Sequence, residues 1–160
     1  MNDALRAASE AAFRALRARG AHVSFAESLT GGLICATLVE NAGASAVLNE
    51  SYVTYAAESK VRILGVRRET VARDGVVSES CAREMAEGAR RVSGAEWGVS
   101  ATGLAGPEGE EGKPVGTVYV GVAGPKGARA RRHLFSGDRA QVRAQAAQAA
   151  LELLVEAMAD

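Results

Sequence analysis

The sequence predicts an α/β protein, a three-layer α/β/α sandwich built around a five-stranded, mostly parallel mixed sheet. Short apolar segments typical of strands alternate with longer segments of helical periodicity, which is the order expected of this architecture. Aliphatic side chains must fill the core, because aromatic residues make up only 4% of the 160 residues. The connection Gly124-Pro125-Lys126-Gly127 is short enough for a hairpin, so one antiparallel strand pair is expected in the sheet.

The amino-terminal half of the chain contains two predicted strands and three predicted helices. Apolar residues recur at helical spacing over residues 2–19, which predicts the first helix. A short apolar segment at 22–26 and the β-rich stretch 46–55 predict the strands. The other helices are expected over 29–40 and 58–64. Glycines directly after the first and third helices are typical of helix ends.

The carboxy-terminal half is predicted to hold the three remaining strands, one helical turn and two long helices. One helical turn is expected over 68–73, followed by a long helix over 79–92 with Ser78 as its N-cap. Asp138 is the expected N-cap of a final helix over 139–158. Strands are predicted at 97–102, 116–123 and 128–135. The last of these is more polar, which is typical of an edge strand.

Composition excludes several classes of partner. Lys plus Arg and Asp plus Glu number 19 each, so there is no basic excess to bind nucleic acid. No apolar run is long enough to span a membrane, and residues 1–6 lack the apolar region of a signal peptide, so none is expected. Cys35 and Cys81 are isolated and form no metal-ligand pattern. We therefore expect a reduced cytoplasmic protein without metal or cofactor, with residues 1–160 forming a single domain.

Ser28 lies where the first predicted strand gives way to a glycine-containing helix. Backbone N–H groups are free at a helix start and the helix dipole is positive there, so the junction suits an oxyanion or a phosphate. Gly31 and Gly32 allow a backbone to approach a ligand closely. The alternative is that Ser28 or Thr30 only caps the helix, which is the commoner role of such residues.

Four polar or glycine-rich segments are expected to converge near the carboxyl ends of the strands. They cover residues 26–32, 55–60, 101–107 and 113–117. A nucleophilic serine needs a base, and Lys60 is the candidate if burial lowers its pKa. Tyr55 is expected to relay or orient a proton between Ser28 and Lys60. Each residue taken alone is more often structural, as a solvated lysine or a half-buried tyrosine.

Taken together, the segments resemble a known family. The motifs are ESLTGG at 27–32, YAAESKVRILGV at 55–66, TGLAGP at 102–107, KPVGTV at 113–118 and FSGDRAQVRAQA at 135–146. Their order and spacing resemble the CinA carboxy-terminal family, the nicotinamide-nucleotide amidohydrolases (NMN deamidases), over residues 5–157. The resemblance implies hydrolysis of nicotinamide mononucleotide to nicotinate mononucleotide and ammonia, a step of NAD salvage in the pyridine nucleotide cycle. It also implies a metal-free Ser–Lys site and a homodimer.

The resemblance carries over onto particular residues. The catalytic positions are Ser28, Lys60, Tyr55 and Thr102. Ser28 would attack the amide carbonyl while Lys60 takes its proton. Backbone N–H groups from Thr30 to Gly32, or the Thr102 hydroxyl, would face the developing oxyanion. The expected substrate-binding residues are Thr30, Gly31, Gly32, Gly103 and Gly106. The segment 106–112 is expected to form a mobile rim over the site.

Departures from the family pattern keep alternatives open. Ala57 stands where the family often has asparagine, and three rim carboxylates, Glu108, Glu110 and Glu111, would repel a phosphate unless they point outward. These departures favour a catalytically silent paralogue that binds a nucleotide or a protein partner. The retained catalytic positions argue against that alternative. A third alternative is a Ser–Lys acyl hydrolase with another substrate, because substrate choice depends on pocket shape. Arg139 is expected to fix the last helix, with a phosphate contact as the alternative.

The last predicted helix bears on assembly. Its apolar residues exceed one narrow stripe, as Leu151, Leu153, Leu154, Val155 and Met158 illustrate. Such a wide face supports a symmetric dimer, but it is equally typical of a helix covered on one side by its own sheet.

Overall fold

The computed structural model describes residues 1–160 and contains one sheet with helices on both of its faces. The strands are β1 (Val23–Glu27), β2 (Leu48–Val53), β3 (Trp97–Gly103), β4 (Thr117–Gly124) and β5 (Gly127–Leu134). The helices are α1 (Asp3–Arg19), α2 (Leu33–Leu38), α3 (Ala57–Leu64), α4 (Arg68–Asp74), α5 (Glu79–Ser93) and α6 (Arg139–Ala159). Each corresponds to a predicted element, and the α/β class with a five-stranded mixed sheet is confirmed.

The sheet has the strand order β2-β1-β3-β4-β5. Strand β1 pairs in parallel with β2 and β3, whereas β3–β4 and β4–β5 are antiparallel. The sequence predicted a mostly parallel sheet with one antiparallel pair, so the second such pair is a correction. Its cause is the connection 104–116, which contains no helix that could carry the chain back across the sheet. Strand β4 therefore returns beside β3 in the opposite direction.

Helices α1, α2 and α6 pack on one face of the sheet, and α5 packs on the other with α3 and α4 against it. The apolar side chains Leu151, Leu153 and Leu154 of α6 are at most 1% exposed. The wide apolar face of this helix is therefore core within one chain, and it gives no support to a dimer. No helix is both long enough and apolar enough to cross a bilayer.

A backbone contact holds α3 close to α5. A Cβ atom on Gly88 would lie 2.1 Å from the Leu64 carbonyl oxygen, so no side chain fits between the two helices. Because α3 also carries Lys60, this contact sets the position of that residue relative to the sheet.

Two of the helix starts follow from local sequence, and one does not. The Ser78 and Asp138 side chains accept hydrogen bonds from the backbone N–H groups three residues ahead, as N-caps do. Helix α2 was predicted over 29–40 but begins only at Leu33. The preceding residues form a tight turn, in which Gly31 and Gly32 have φ values of 56° and 103° that favour glycine.

Candidate active site

Ser28 and Lys60 are in contact, although they are 32 residues apart in the chain. Ser28 directly follows β1, and Lys60 projects from α3 so that its Nζ lies 3.0 Å from Ser28 Oγ. The Lys60 ammonium also donates to the carbonyl oxygens of Thr54, at 2.7 Å, and Tyr55, at 3.0 Å. Lys60 is fully buried and Ser28 is 8% exposed. The sequence predicted the convergence of these segments, which the carboxyl ends of β1 and β2 bring about.

The surroundings of Lys60 make its charged form less favourable than that of a lysine in water. All three of its hydrogen-bond partners are uncharged. Burial lowers the pKa of the Lys60 ammonium below its usual range, and the more distant Cys81 and Glu111 only partly oppose that effect. A neutral amine has two N–H groups and one lone pair. In the neutral form of Lys60, the Thr54 and Tyr55 carbonyl oxygens accept from the two N–H groups, and the lone pair can accept from the Ser28 hydroxyl.

Glu27 fills the start of α2, a role that the sequence analysis missed. Its Oε1 accepts from the N–H groups of Gly32, at 3.1 Å, and Ile34, at 2.9 Å. Its Oε2 accepts from the Cys35 N–H at 3.1 Å and the Ser51 hydroxyl at 2.8 Å. The expected anion site at this helix end is thus occupied by the chain's own carboxylate. The available signal was an acidic residue directly before Ser28 in a glycine-containing turn.

The residues expected to bind substrate at this turn lie apart from the cleft. The Gly31 N–H donates to the Ser28 carbonyl at 3.1 Å, and the Gly32 N–H is held by Glu27. Neither is free to face an oxyanion, contrary to the expectation. Thr30 is fully buried, and its Oγ1 has no hydrogen-bond partner.

Two other N–H groups of the same turn remain free. The backbone N–H groups of Leu29 and Thr30 donate no hydrogen bond within the chain. Arg143 of α6 holds the carbonyl side of the Leu29–Thr30 and Thr30–Gly31 peptides, since Nε donates to the Leu29 carbonyl at 2.8 Å and Nη2 to the Thr30 carbonyl at 2.9 Å. In a trans peptide the C=O and N–H groups point in opposite directions. Arg143 therefore directs the Thr30 N–H away from its own guanidinium.

A cleft of about 170 Å³ opens beside Ser28. Its lining includes Ser28, Tyr55, Val76, Val77, Thr102, Gly103, Gly106, Glu108, Glu110 and Arg139. Gly103 and Gly106, two of the residues expected to bind substrate, are part of this lining. A larger cavity of about 320 Å³ beside Trp97 lies at the opposite end of β3 and is lined by no hydroxyl or thiol group.

Two of the expected catalytic side chains have other partners. The Tyr55 side chain is 61% exposed, and its hydroxyl accepts a hydrogen bond from Arg139 Nη2 at 3.2 Å. It therefore does not stand between Ser28 and Lys60, and only its backbone carbonyl contacts Lys60. The Thr102 hydroxyl donates to the Val76 carbonyl at 2.9 Å, so its proton is not directed at an oxyanion.

The three rim carboxylates differ in direction. Glu108 and Glu110 line the cleft, whereas Glu111 turns away and binds the backbone of Val76 and Val77. Arg139 faces the same cleft and also donates to the Gly106 carbonyl oxygen, which fixes the rim to the start of α6. The mouth of the cleft therefore carries charges of both signs.

Comparison with known proteins places this geometry in context. The profile of the CinA C-terminal domain matches residues 5–158. The chain is 47% identical to nicotinamide-nucleotide amidohydrolase PncC of Escherichia coli K12, over 91% of this chain and 90% of that protein. It is 53% identical to a CinA-like protein of Anaeromyxobacter sp. strain K over 87% of its residues, and it spans only 34% of that longer protein. A crystal structure of a CinA superfamily protein from Klebsiella pneumoniae superposes with a TM-score of 0.94 at 38% identity, covering 99% of both chains.

Proposed function

The chain belongs to the CinA C-terminal domain family, and from that membership and its site we propose that it hydrolyses the carboxamide of nicotinamide mononucleotide to nicotinate mononucleotide and ammonia. The similarity to an amidohydrolase of nearly the same length supports this reaction. The observation that carries the proposal is the Ser28–Lys60 contact of 3.0 Å with two carbonyl oxygens on the same amine.

The proposed reaction runs through an acyl-enzyme. Ser28 Oγ attacks the carboxamide carbon as Lys60 Nζ accepts the hydroxyl proton. Collapse of the tetrahedral intermediate breaks the C–N bond, and Lys60 returns the proton to the leaving nitrogen, which departs as ammonia. A water molecule then attacks the Ser28 ester with Lys60 again as base. Breakage of the ester bond releases the carboxylate product and restores the serine.

The free N–H groups of Leu29 and Thr30 are the proposed oxyanion donors. They directly follow the nucleophile in the chain and have no competing partner. Arg143 would fix the Leu29–Thr30 peptide, which carries the Thr30 N–H, before substrate arrives, and the Gly31 N–H would hold the carbonyl of the Ser28–Leu29 peptide. This assignment replaces the one that used Gly31 and Gly32.

The size and charge of the cleft fit part of the proposed substrate. At about 170 Å³ it is smaller than the roughly 300–1,000 Å³ that enclose a whole drug-sized ligand. We propose that it takes the pyridine carboxamide, with the ribose phosphate extending past Tyr55 towards Arg139 at the mouth. The substrate ring is cationic, which suits the neighbouring carboxylates of Glu108 and Glu110.

Assembly and location belong to the same proposal. Residues 1–160 would act as one domain in a cytoplasmic homodimer, for which the support is the family resemblance. Light scattering at micromolar protein tests the dimer, because one chain has a mass of 16.5 kDa and a dimer has twice that mass.

The direct test is to incubate the purified protein with nicotinamide mononucleotide and to measure ammonia and nicotinate mononucleotide. Equal amounts of the two products are expected, and none from a Ser28→Ala variant. Ammonia release from free nicotinamide at a comparable rate would instead support an acyl hydrolase of broader substrate range. Absence of both products from a folded wild-type protein would contradict the proposal and favour the silent paralogue.

A further inference from the structure

Glu111 makes a two-pronged contact between the rim and the opposite side of the cleft. Its Oε2 accepts from the Val76 N–H at 3.1 Å, and its Oε1 accepts from the Val77 N–H at 3.0 Å. The partners lie 34 and 35 residues away, in the connection between α4 and α5. Two backbone donors on one carboxylate form a charge-assisted, geometrically specific contact.

The surroundings of Glu111 are shaped to hold this contact. A Cβ atom on Gly75 would lie 2.5 Å from Glu111 Oε1, so the absence of a side chain there makes room for the carboxylate. Glu111 has φ of 55° and is the one non-glycine residue of the chain with a positive φ. That backbone conformation is uncommon for a residue other than glycine, and the two hydrogen bonds of the side chain help to hold it.

The segment that Glu111 binds forms part of the cleft. Val76 and Val77 both line the cleft across from the rim residues Gly106 to Glu110. The Val76 carbonyl accepts from the Thr102 hydroxyl at 2.9 Å, so this residue is held on its N–H side by Glu111 and on its C=O side by Thr102. Val76 and Val77 form a wall of the cleft, and Glu111 joins this wall to the rim at one end of the cleft.

We propose that Glu111 is a positioning residue that clasps the rim to the Val76–Val77 wall and so fixes the width of the substrate cleft. It contacts neither Ser28 nor Lys60, and its distant charge only partly opposes the lowering of the Lys60 pKa by burial, so its main effect is on substrate binding. Its kinetic consequence rests on the proposed function, whereas the contact itself does not. Of the three acidic rim residues, Glu111 alone is assigned this structural role, and Glu108 and Glu110 remain free to meet substrate.

Amide hydrogen exchange resolved at Val76 and Val77 tests the clasp without any substrate. Glu111→Ala removes both acceptors and should speed exchange at both amides by at least about tenfold, because the carboxylate contact no longer opposes local opening. Glu111→Gln keeps one acceptor oxygen and should give an intermediate increase, which provides a reading if the alanine variant folds poorly. Lys113→Ala is the matched control, since it removes only the ion pair of 3.7 Å to Glu111 and should leave exchange unchanged. Unchanged exchange in both Glu111 variants would overturn the clasp.

Steady-state kinetics with nicotinamide mononucleotide test its role. In Glu111→Ala we expect KM to rise by about tenfold while kcat changes by less than about threefold, because the Ser28–Lys60 contact is untouched. A fall in kcat with constant KM would overturn a positioning role in binding. If the wild type releases no ammonia, the proposed function fails, but the exchange experiment still decides whether the clasp exists.

Discussion

Replacement of Glu27 by glutamine removes one negative charge and hardly changes the size of a fully buried side chain. The carboxylate accepts four hydrogen bonds, three from backbone N–H groups at the start of α2 and one from Ser51. An amide offers one oxygen in place of two. If the glutamine oxygen accepts from the Gly32 and Ile34 N–H groups, the glutamine NH2 group faces the Cys35 N–H. The Cys35 N–H then has no acceptor. The Ser51 hydroxyl can rotate to accept from the amide, so that contact survives.

The expected destabilisation follows from these contacts. Two hydrogen bonds change from charged to neutral acceptors, which loses about 1 kcal/mol each, and the partly buried Cys35 N–H left without a partner costs about 1–3 kcal/mol. We expect Glu27→Gln to lower the free energy of unfolding by about 3–5 kcal/mol. In a domain of this size each 1 kcal/mol corresponds to roughly 2–4 °C, so Tm should fall by roughly 10 °C.

Thermal unfolding followed by circular dichroism measures this change. Glu40→Gln is the matched control, because Glu40 follows the same helix, is exposed and has no side-chain hydrogen bond or ion pair. Its effect should stay within about 0.5 kcal/mol. A Tm for Glu27→Gln within about 2 °C of the wild type would refute the assignment of Glu27 as the anion that holds the start of α2.

Further predictions concern the chemistry of the site. Ser28→Ala should abolish ammonia release while costing at most about 2 kcal/mol of stability, and normal turnover in the folded variant would reject the nucleophile. Lys60→Arg should be as inactive as Lys60→Ala, because a guanidinium supplies no neutral base, whereas Lys126→Arg at the far end of the sheet should be fully active. Since burial lowers the pKa of Lys60, kcat/KM should rise with pH through a value below the ordinary lysine pKa of about 10.4. Between the lowered pKa of Lys60 in the folded protein and the ordinary lysine pKa, the unfolded state binds more protons than the folded state. The free energy of unfolding should therefore also rise with pH in this range, and a Lys60→Met variant should lose that rise. Arg143→Lys should lower kcat by about tenfold or more with little change in KM, because an ammonium cannot hold two carbonyls in fork geometry, and added guanidinium should partly rescue Arg143→Ala.

The parts of the fold that depend on neighbouring residues could be predicted. The start of α6 is an example, because Asp138 and Gln141 satisfy each other's backbone N–H groups within three residues. The order strand–helix–strand predicted that β1 and β2 are parallel. Because the carboxyl ends of parallel strands lie at the same edge of a sheet, Ser28 and Lys60 were expected to meet there. The course of β4 could not be derived in this way, because it depends on how the irregular connection after β3 returns.

The site was predictable where strands determine direction and unpredictable where loops do. Tyr55, two residues after β2, was expected near Ser28 and lines the same cleft, but its backbone rather than its side chain contacts Lys60, and its ring turns to solvent. The free N–H groups of Leu29 and Thr30 depend on which donors Glu27 takes first, a competition that no periodic pattern encodes. Glu111 finds its partners more than 30 residues away through a loop of irregular conformation, so its role left no local signal.

The backbone contact between Gly88 and the Leu64 carbonyl bears on how this protein would lose activity on heating. Lys60 reaches Ser28 from a helix that rests directly on α5, with no flexible side chain in between to loosen before the helices part. The spacing of Ser28 and Lys60 is therefore tied to the integrity of the whole α3–α5 pair rather than to a local fluctuation. Inactivation and loss of helical signal should then follow the same temperature curve, without an earlier phase in which a folded protein is already inactive.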